Sequence, residues 1–315
     1  MGATGTYKND TVVLSIVNAF LFLGIKLIQN VKIIIPKNFY IYIIFLVSLL
    51  IHSYMFDGRF DYFFIFLSGG LYWFHFHNMK VIASKYFPNF LIFLGISMSL
   101  YFVYSYLNHT YYLSEANLFL PASKLINHNH IGDLWAIVLI PIAYQFINRK
   151  HNRHYIVIFI GLIMVAMSQS RSAIVALAVG ITKINKKYSF AIFAICIILF
   201  IYFGIGKTTL FARPYFLEAL YGLIKYPNGL GIGNFGKIAS DSTLTHNIIL
   251  EIISGMGVYS VIFIFWLFKV FQSVIKSDNT LYIAIFLAIF TNFMFDTTYV
   301  IPTMVWLWFA GLALI

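Results

Sequence analysis

The strongest constraint on what this chain can fold into is a near-continuous succession of apolar runs. They fall near residues 11–28, 39–56, 62–76, 87–106, 131–147, 155–170, 172–182, 189–206, 247–271, 279–295 and 300–315. A helix that crosses a bilayer needs about 20 mostly apolar residues at about 1.5 Å rise each, and most of these runs approach that length. Of the 315 residues 61% are hydrophobic and 10% charged, a balance that a water-soluble domain of this size could not keep dispersed. The sequence therefore predicts an all-α integral membrane protein of about eleven transmembrane helices, forming one polytopic domain over 1–315. Only Arg171 separates the runs 155–170 and 172–182, so that pair is expected to turn back below the membrane surface.

The formal net charge is +11. In a soluble protein that would suggest nucleic acid, but here the cations cluster between apolar runs, where cytoplasmic loops are expected to be basic, and no nucleic-acid partner is expected. Alternate connections carry Lys26, Lys32 and Lys37, then Lys80 and Lys85, then Arg149, Lys150 and Arg153, then Lys183, Lys186 and Lys187, then Lys269 and Lys276. These five sets are expected inside. The opposite side holds Asp57, Arg59 and Asp61, the 107–130 segment, Arg171, the 207–246 segment and Asp296, with the N-terminus outside and the C-terminus inside. The single cysteine, Cys196, lies in an apolar run and reads as a small buried hydrophobe. The near-neutral leader Met1–Asp10 lacks a basic start, and the first apolar run can itself direct the chain to the membrane.

Polar architecture has room only in the two long outer segments, and the larger one, 207–246, is expected to carry part of the site. Within it, Arg213–Tyr226 reads as a short amphipathic helix with Phe216, Leu217, Leu220 and Ile224 on one face and Glu218 and Lys225 elsewhere. Gly229, Leu230, Gly231, Ile232, Gly233, Asn234, Phe235 and Gly236 follow. The stretch satisfies a dinucleotide-binding glycine pattern in form, but no βαβ unit surrounds it. It is either a plain turn-rich loop or one whose backbone amides approach a phosphate or sugar.

Several side chains could carry chemistry. Arg171 stands at a break between apolar runs, where a guanidinium costs several kcal/mol unless it faces a cavity or an anion; it either reaches headgroups or helix carbonyls, or grips phosphate with its rigid fork of donors. Arg213 precedes Pro214, a favoured first residue of a helix, and is either a solvated charge or held near amide donors that attract anions. His246, between Thr245 and Asn247, has a side chain suited to proton transfer near neutral pH or is an ordinary buried histidine; Asn247 could fix its tautomer, contact a sugar or cap the next helix. Asn127, His128, Asn129 and His130, with only Asp133 nearby, fall short of a metal ligand set, leaving a sugar-facing segment or the solvated start of a helix. The outer acids are scattered, which disfavours glycoside hydrolysis, and no nucleophile elbow is present.

Taken in order, Ser168, Gln169, Ser170, Arg171 and Ser172, then Arg213, then Pro227 to Phe235, then Thr245, His246 and Asn247 ahead of Gly255 and Gly257, resemble the O-antigen ligase and polysaccharide polymerase superfamily. The resemblance spans about Asn127 to Val261. It implies a glycosyltransferase of the bacterial inner membrane with its site on the outer face. The enzyme would move a glycan from undecaprenyl pyrophosphate to an acceptor glycan or glycolipid, without metal or other cofactor, as repeat-unit polymerase or O-antigen ligase. It further implies His246 as the base, Arg171 and Arg213 on the pyrophosphate, and Asn247, Gly231, Gly233, Asn234 and Asn129 as weaker contacts to sugar or loop. Membrane lipid and polysaccharide-assembly proteins are the partners it suggests. The alternative is a non-enzymatic transporter or flippase of lipid-linked sugars, for which no inverted repeat is apparent.

Overall fold

The computed structural model describes residues 32–107, 111–114, 117–123, 128–149, 154–168, 170–188, 215–239, 242 and 244–315, with scattered positions in 13–28 and 190–198. Arg213, Cys196, Asn127, Gln169 and most of the runs 11–28 and 189–206 lie outside them. The apolar runs within the described residues are helical: α1 (Phe39–Met55), α2 (Phe60–Asn78), α3 (Lys80–Leu107), α4 (His128–Arg149), α5 (His154–Ser168), α6 (Arg171–Ile184), α7 (Tyr215–Lys225), α8 (Ile248–Met256), α9 (Val261–Ile275), α10 (Thr280–Phe295) and α11 (Pro302–Leu314). Among the described residues, three stretches are long and apolar enough to cross a membrane, Lys80–Tyr101, Asn129–Asn148 and Ile248–Ile275.

The described fold is helical apart from one hairpin, in which β1 (Tyr111–Ser114) and β2 (Asn117–Ser123) run antiparallel with Tyr111 paired to Ser123 and Ser114 to Asn117. Three expectations are corrected. Lys80 and Lys85 are in α3, separated from α2 by Met79 alone; lysine is a good helix former, so its charge marks an end of the apolar stretch but does not break the helix. The polar segment before residue 131 is already α4 from His128 onward. The run 247–271 is interrupted by a 3₁₀ turn, Gly257–Ser260, with Gly257 at φ 57°.

The chain forms two compact units. One comprises Met1–Gly5, Val81–Leu210 and Asn279–Asn292. At its centre α4 is buried along its length from Ile131 to Ile142, as a helix that is apolar all round should be. Close approach depends on glycine: a Cβ on Gly161 would lie 2.6 Å from Leu139 and 2.9 Å from Trp135, and one on Gly180 2.6 Å from Ile140. Trp135 Nε1 donates to Ser99 Oγ at 2.8 Å, satisfying a polar tip that burial would otherwise penalise.

The other unit comprises Thr6–Lys80, Phe211–Asp278 and Phe293–Ile315. Its core is aromatic: Tyr42 meets Trp266 with ring centroids 4.9 Å apart and Phe309 at 5.1 Å, and Phe45 meets Phe263 at 5.0 Å. Gly69 and Gly70 of α2 make room for the Phe309 and Tyr42 rings. The buried Tyr42 hydroxyl donates to Phe66 O at 2.6 Å. Pro302 begins α11, where its missing N–H costs nothing.

Candidate functional site

In the second unit the loops at one end converge on Glu251, a buried carboxylate inside α8. Its Oε1 accepts from Gly233 N at 3.1 Å and from the Tyr62 hydroxyl at 3.3 Å. Oε2 accepts from Thr245 N at 3.0 Å and from the Tyr299 hydroxyl at 3.3 Å. Desolvation alone would make an isolated carboxylate here prohibitive; four donors directed at its two oxygens compensate. Burial, reinforced by the Glu251 carboxylate, pushes the Tyr299 phenol well above its ordinary pKa, so this hydroxyl remains a proton donor.

Through those donors Glu251 fixes the glycine loop. Gly229, Gly231 and Gly233 have φ of 93°, 82° and 79°, conformations that glycine alone adopts without strain. Leu230 N donates to Ser254 O and Gly231 N to Gly255 O, both at 3.0 Å. Arg59 N donates to Ile232 O at 2.9 Å. The Asn234 side-chain amide donates to Asp57 O at 2.9 Å and to Leu230 O at 3.2 Å. The amides of Gly231 and Gly233 and the side chain of Asn234 thus bond within the chain, and the loop is a brace. Arg59 is engaged too, donating to Asp61 at 3.2 and 2.6 Å.

His246 sits at the edge of this brace. Its backbone is in the left-handed region, φ 55°, which costs a non-glycine residue about 1–3 kcal/mol and persists only where the surroundings enforce it. Those surroundings are visible: Thr245 N is tied to Glu251, and Thr245 Oγ1 donates to Asn247 O at 2.7 Å. Asn247 Oδ1 accepts from Ile249 N and Leu250 N at 2.9 and 3.0 Å, capping α8, while its amide donates to Met294 O at 3.1 Å. The His246 ring stacks on Tyr215, with centroids 5.7 Å apart and planes at 10°. Nδ1 lies 3.7 Å from Asp296 Oδ1, with the imidazole about a third exposed. Asp296 is itself held, accepting from Thr297 N at 2.6 Å. At 3.7 Å the carboxylate is not hydrogen-bonded to the ring, but it is close enough to favour a protonated imidazole electrostatically.

In the first unit, Arg171 is exposed at the first position of α6, directly after the N-cap Ser170. A cation at a helix N-terminus opposes the helix dipole, so it does nothing for helix stability, and the Ala173 amide at this end is already capped by Ser170 Oγ. This end of α6 is rigid. Ser170 Oγ and Ser172 Oγ donate to the buried Asp133 Oδ1 of α4 at 2.9 and 2.7 Å, and Gly132 lies against Ser168 and Ser170. Asn129, half-buried, is one turn ahead of Asp133 on the same helix.

The structure thus gathers His246, Asn247, Gly231, Gly233 and Asn234 in one unit and places Arg171 with Asn129 in the other. Among the described residues no group of three or more His, Cys, Asp or Glu side chains is arranged to hold a metal ion. Sequence reasoning missed Glu251 and the pairing of His246 with Asp296. The signal for Glu251 was present: a carboxylate within an apolar run is expensive and hence a candidate for function. Compared with models of protein families, with curated proteins and with solved structures, the chain matches none.

Proposed function

We propose that the chain is a multispanning glycosyltransferase of about eleven transmembrane helices in the bacterial inner membrane. It transfers a glycan from undecaprenyl pyrophosphate to an acceptor sugar hydroxyl on the outer face, as a repeat-unit polymerase or an O-antigen ligase. The observation that carries this reading is His246, held in a strained backbone conformation with Asp296 behind Nδ1 and Tyr215 under the ring. That is the equipment of a general base for a hydroxyl nucleophile. The acceptor oxygen attacks the anomeric carbon, the bond from that carbon to the pyrophosphate oxygen breaks with inversion, and the hydroxyl proton passes to the His246 imidazole. Asp296 stabilises the resulting imidazolium. Arg213 takes the charge that grows on the departing pyrophosphate, and the glycine loop holds the His246 segment in register.

The test is reconstitution with a lipid-linked repeat unit, with and without a core acceptor, followed by product sizing. Ladders without core identify a polymerase, and core-dependent products identify a ligase. His246→Ala should insert normally and lose transfer by about 10²–10⁴-fold, the usual contribution of a positioned base. Wild-type protein that translocates the lipid-linked sugar but joins nothing would replace this reading with that of a carrier.

A further inference from the structure

Helix α7 is amphipathic, but it is turned the opposite way from a helix packed in water. Its inner face is made of Tyr215, 3% exposed, Ala219, 0% exposed, and the buried Gly222. The apolar side chains point outward: Phe216 is 58% exposed, Leu217 65%, Tyr221 55% and Ile224 81%, with Leu220 between them. A soluble surface rarely leaves such a contiguous large apolar stripe uncovered. We propose that this face of α7 lies in the headgroup region of the bilayer, so that α7 is an in-plane helix registering the His246 site against the lipid surface. The inference rests on the membrane placement proposed above.

Position, edge chemistry and charge each favour lipid as the occupant. α7 lies at the end of its unit where the helices α1 and α2 are joined, since Asn234 beyond it bonds Asp57 O and Pro227 O accepts from Val258 N. This is the level at which apolar helices of this unit end. Along the edge of the stripe stand Tyr221, Tyr226 and Lys225, with the Lys225 ammonium 5.5 and 5.4 Å from the two ring centroids. Tyrosine, with an apolar body and a polar tip, is characteristic of the membrane–water boundary. A lysine can lay its stem along the apolar face while its ammonium meets anionic phosphate. The inner face couples this contact to the site: Tyr215 stacks on His246 and packs with Phe235 and Ala239, against which Leu250 of α8 rests. A helix seated in the headgroups would hold the imidazole at the depth where a lipid-linked pyrophosphate emerges.

Nitroxide labels read this directly. In a full-length Cys196→Ser background, Leu217→Cys, Ile224→Cys and the exposed loop variant Asn228→Cys are labelled singly. They are reconstituted in vesicles of phosphatidylethanolamine with a quarter phosphatidylglycerol, and relaxation by oxygen is compared with relaxation by a water-soluble nickel chelate. Labels at 217 and 224 should favour oxygen severalfold relative to the label at 228. Equal access of the nickel chelate to all three positions would overturn the proposal. So would spin–spin broadening at 217 and 224 that vanishes on dilution with unlabelled protein, because a second copy would then cover the stripe. The readout needs no glycan, so the depth of α7 and the proposed transferase activity can fail independently.

Discussion

The four donors that converge on Glu251 come from Tyr62, Gly233, Thr245 and Tyr299, four stretches of chain that this one carboxylate ties together. Glu251→Leu would leave two buried amides and two phenols without their acceptor, at about 1–3 kcal/mol for each stranded group. Its thermal unfolding midpoint in detergent should fall well below that of wild type, and the same midpoint would show that the carboxylate is not the brace. Glu251→Gln should fall between them: one oxygen still accepts, but the new amide confronts the Thr245 N–H, which cannot reverse its role. Asp296 offers a cleaner separation of chemistry from stability. In Asp296→Asn the side-chain oxygen can still accept from Thr297 N, so the unfolding midpoint should hold. The negative charge behind His246 is lost, and turnover should drop about ten- to a hundredfold, less than the 10²–10⁴ of the whole base, with KM little changed. A KM effect alone would instead assign Asp296 to acceptor binding.

Among the elements, the glycine loop and α8 test each other's fit. Gly255 has no left-handed backbone to protect, yet a Cβ there would lie 2.7 Å from Ile232 Cα, a backbone atom that can yield only if the loop moves. At Gly233 the added Cβ would meet the flexible Arg59 side chain and lie 3.1 Å from the Tyr62 ring, and the positive φ adds about 1–2 kcal/mol. Gly255→Ala should therefore speed amide exchange across 229–234 far more than Gly233→Ala does; equal exchange in both would mean that the loop is not seated on α8. These elements were unequally legible in the sequence. Helices such as α1, α2 and α11 follow apolar runs to within about two residues at each end, because run length and hydropathy decide them locally. The break between α8 and α9 was hidden in a uniform run, since it depends on Val258 N reaching Pro227 O, a partner about 30 residues away. His246 and Asn247 were visible as a polar cluster at the edge of that run. Glu251 was not assigned a role, because its meaning lies in partners dispersed from residue 62 to residue 299. The apolar stripe of α7 was recognised, but periodicity alone cannot say whether it faces the core or the surroundings.

At the scale of the molecule, the charge pattern and the hydrogen bonds of the second unit agree on which loops belong together. Segments assigned outside by the scarcity of Lys and Arg meet one another: Asp57 O with Asn234, Ile232 O with Arg59 N, and Asp296 with His246. Segments assigned inside do the same, as Asn78 bonds Ile34, Asn38 bonds Lys269 O at 3.5 Å and Ser277 bonds Ile315 O at 3.2 Å. Any up-and-down helical bundle brings its connections together at two ends, and the charge pattern alone names the basic end as the cytoplasmic one. Impermeant maleimide applied to intact spheroplasts carrying Cys196→Ser should therefore modify Asn228→Cys. Lys276→Cys should react only after permeabilisation. Both positions are exposed, so access is governed by sidedness and not by burial. The reverse pattern would invert the topology and put His246 in the cytoplasm, where a glycan donor on the outer leaflet could not reach it. Labelling of both positions in sealed cells would mean that the chain does not separate two compartments at all.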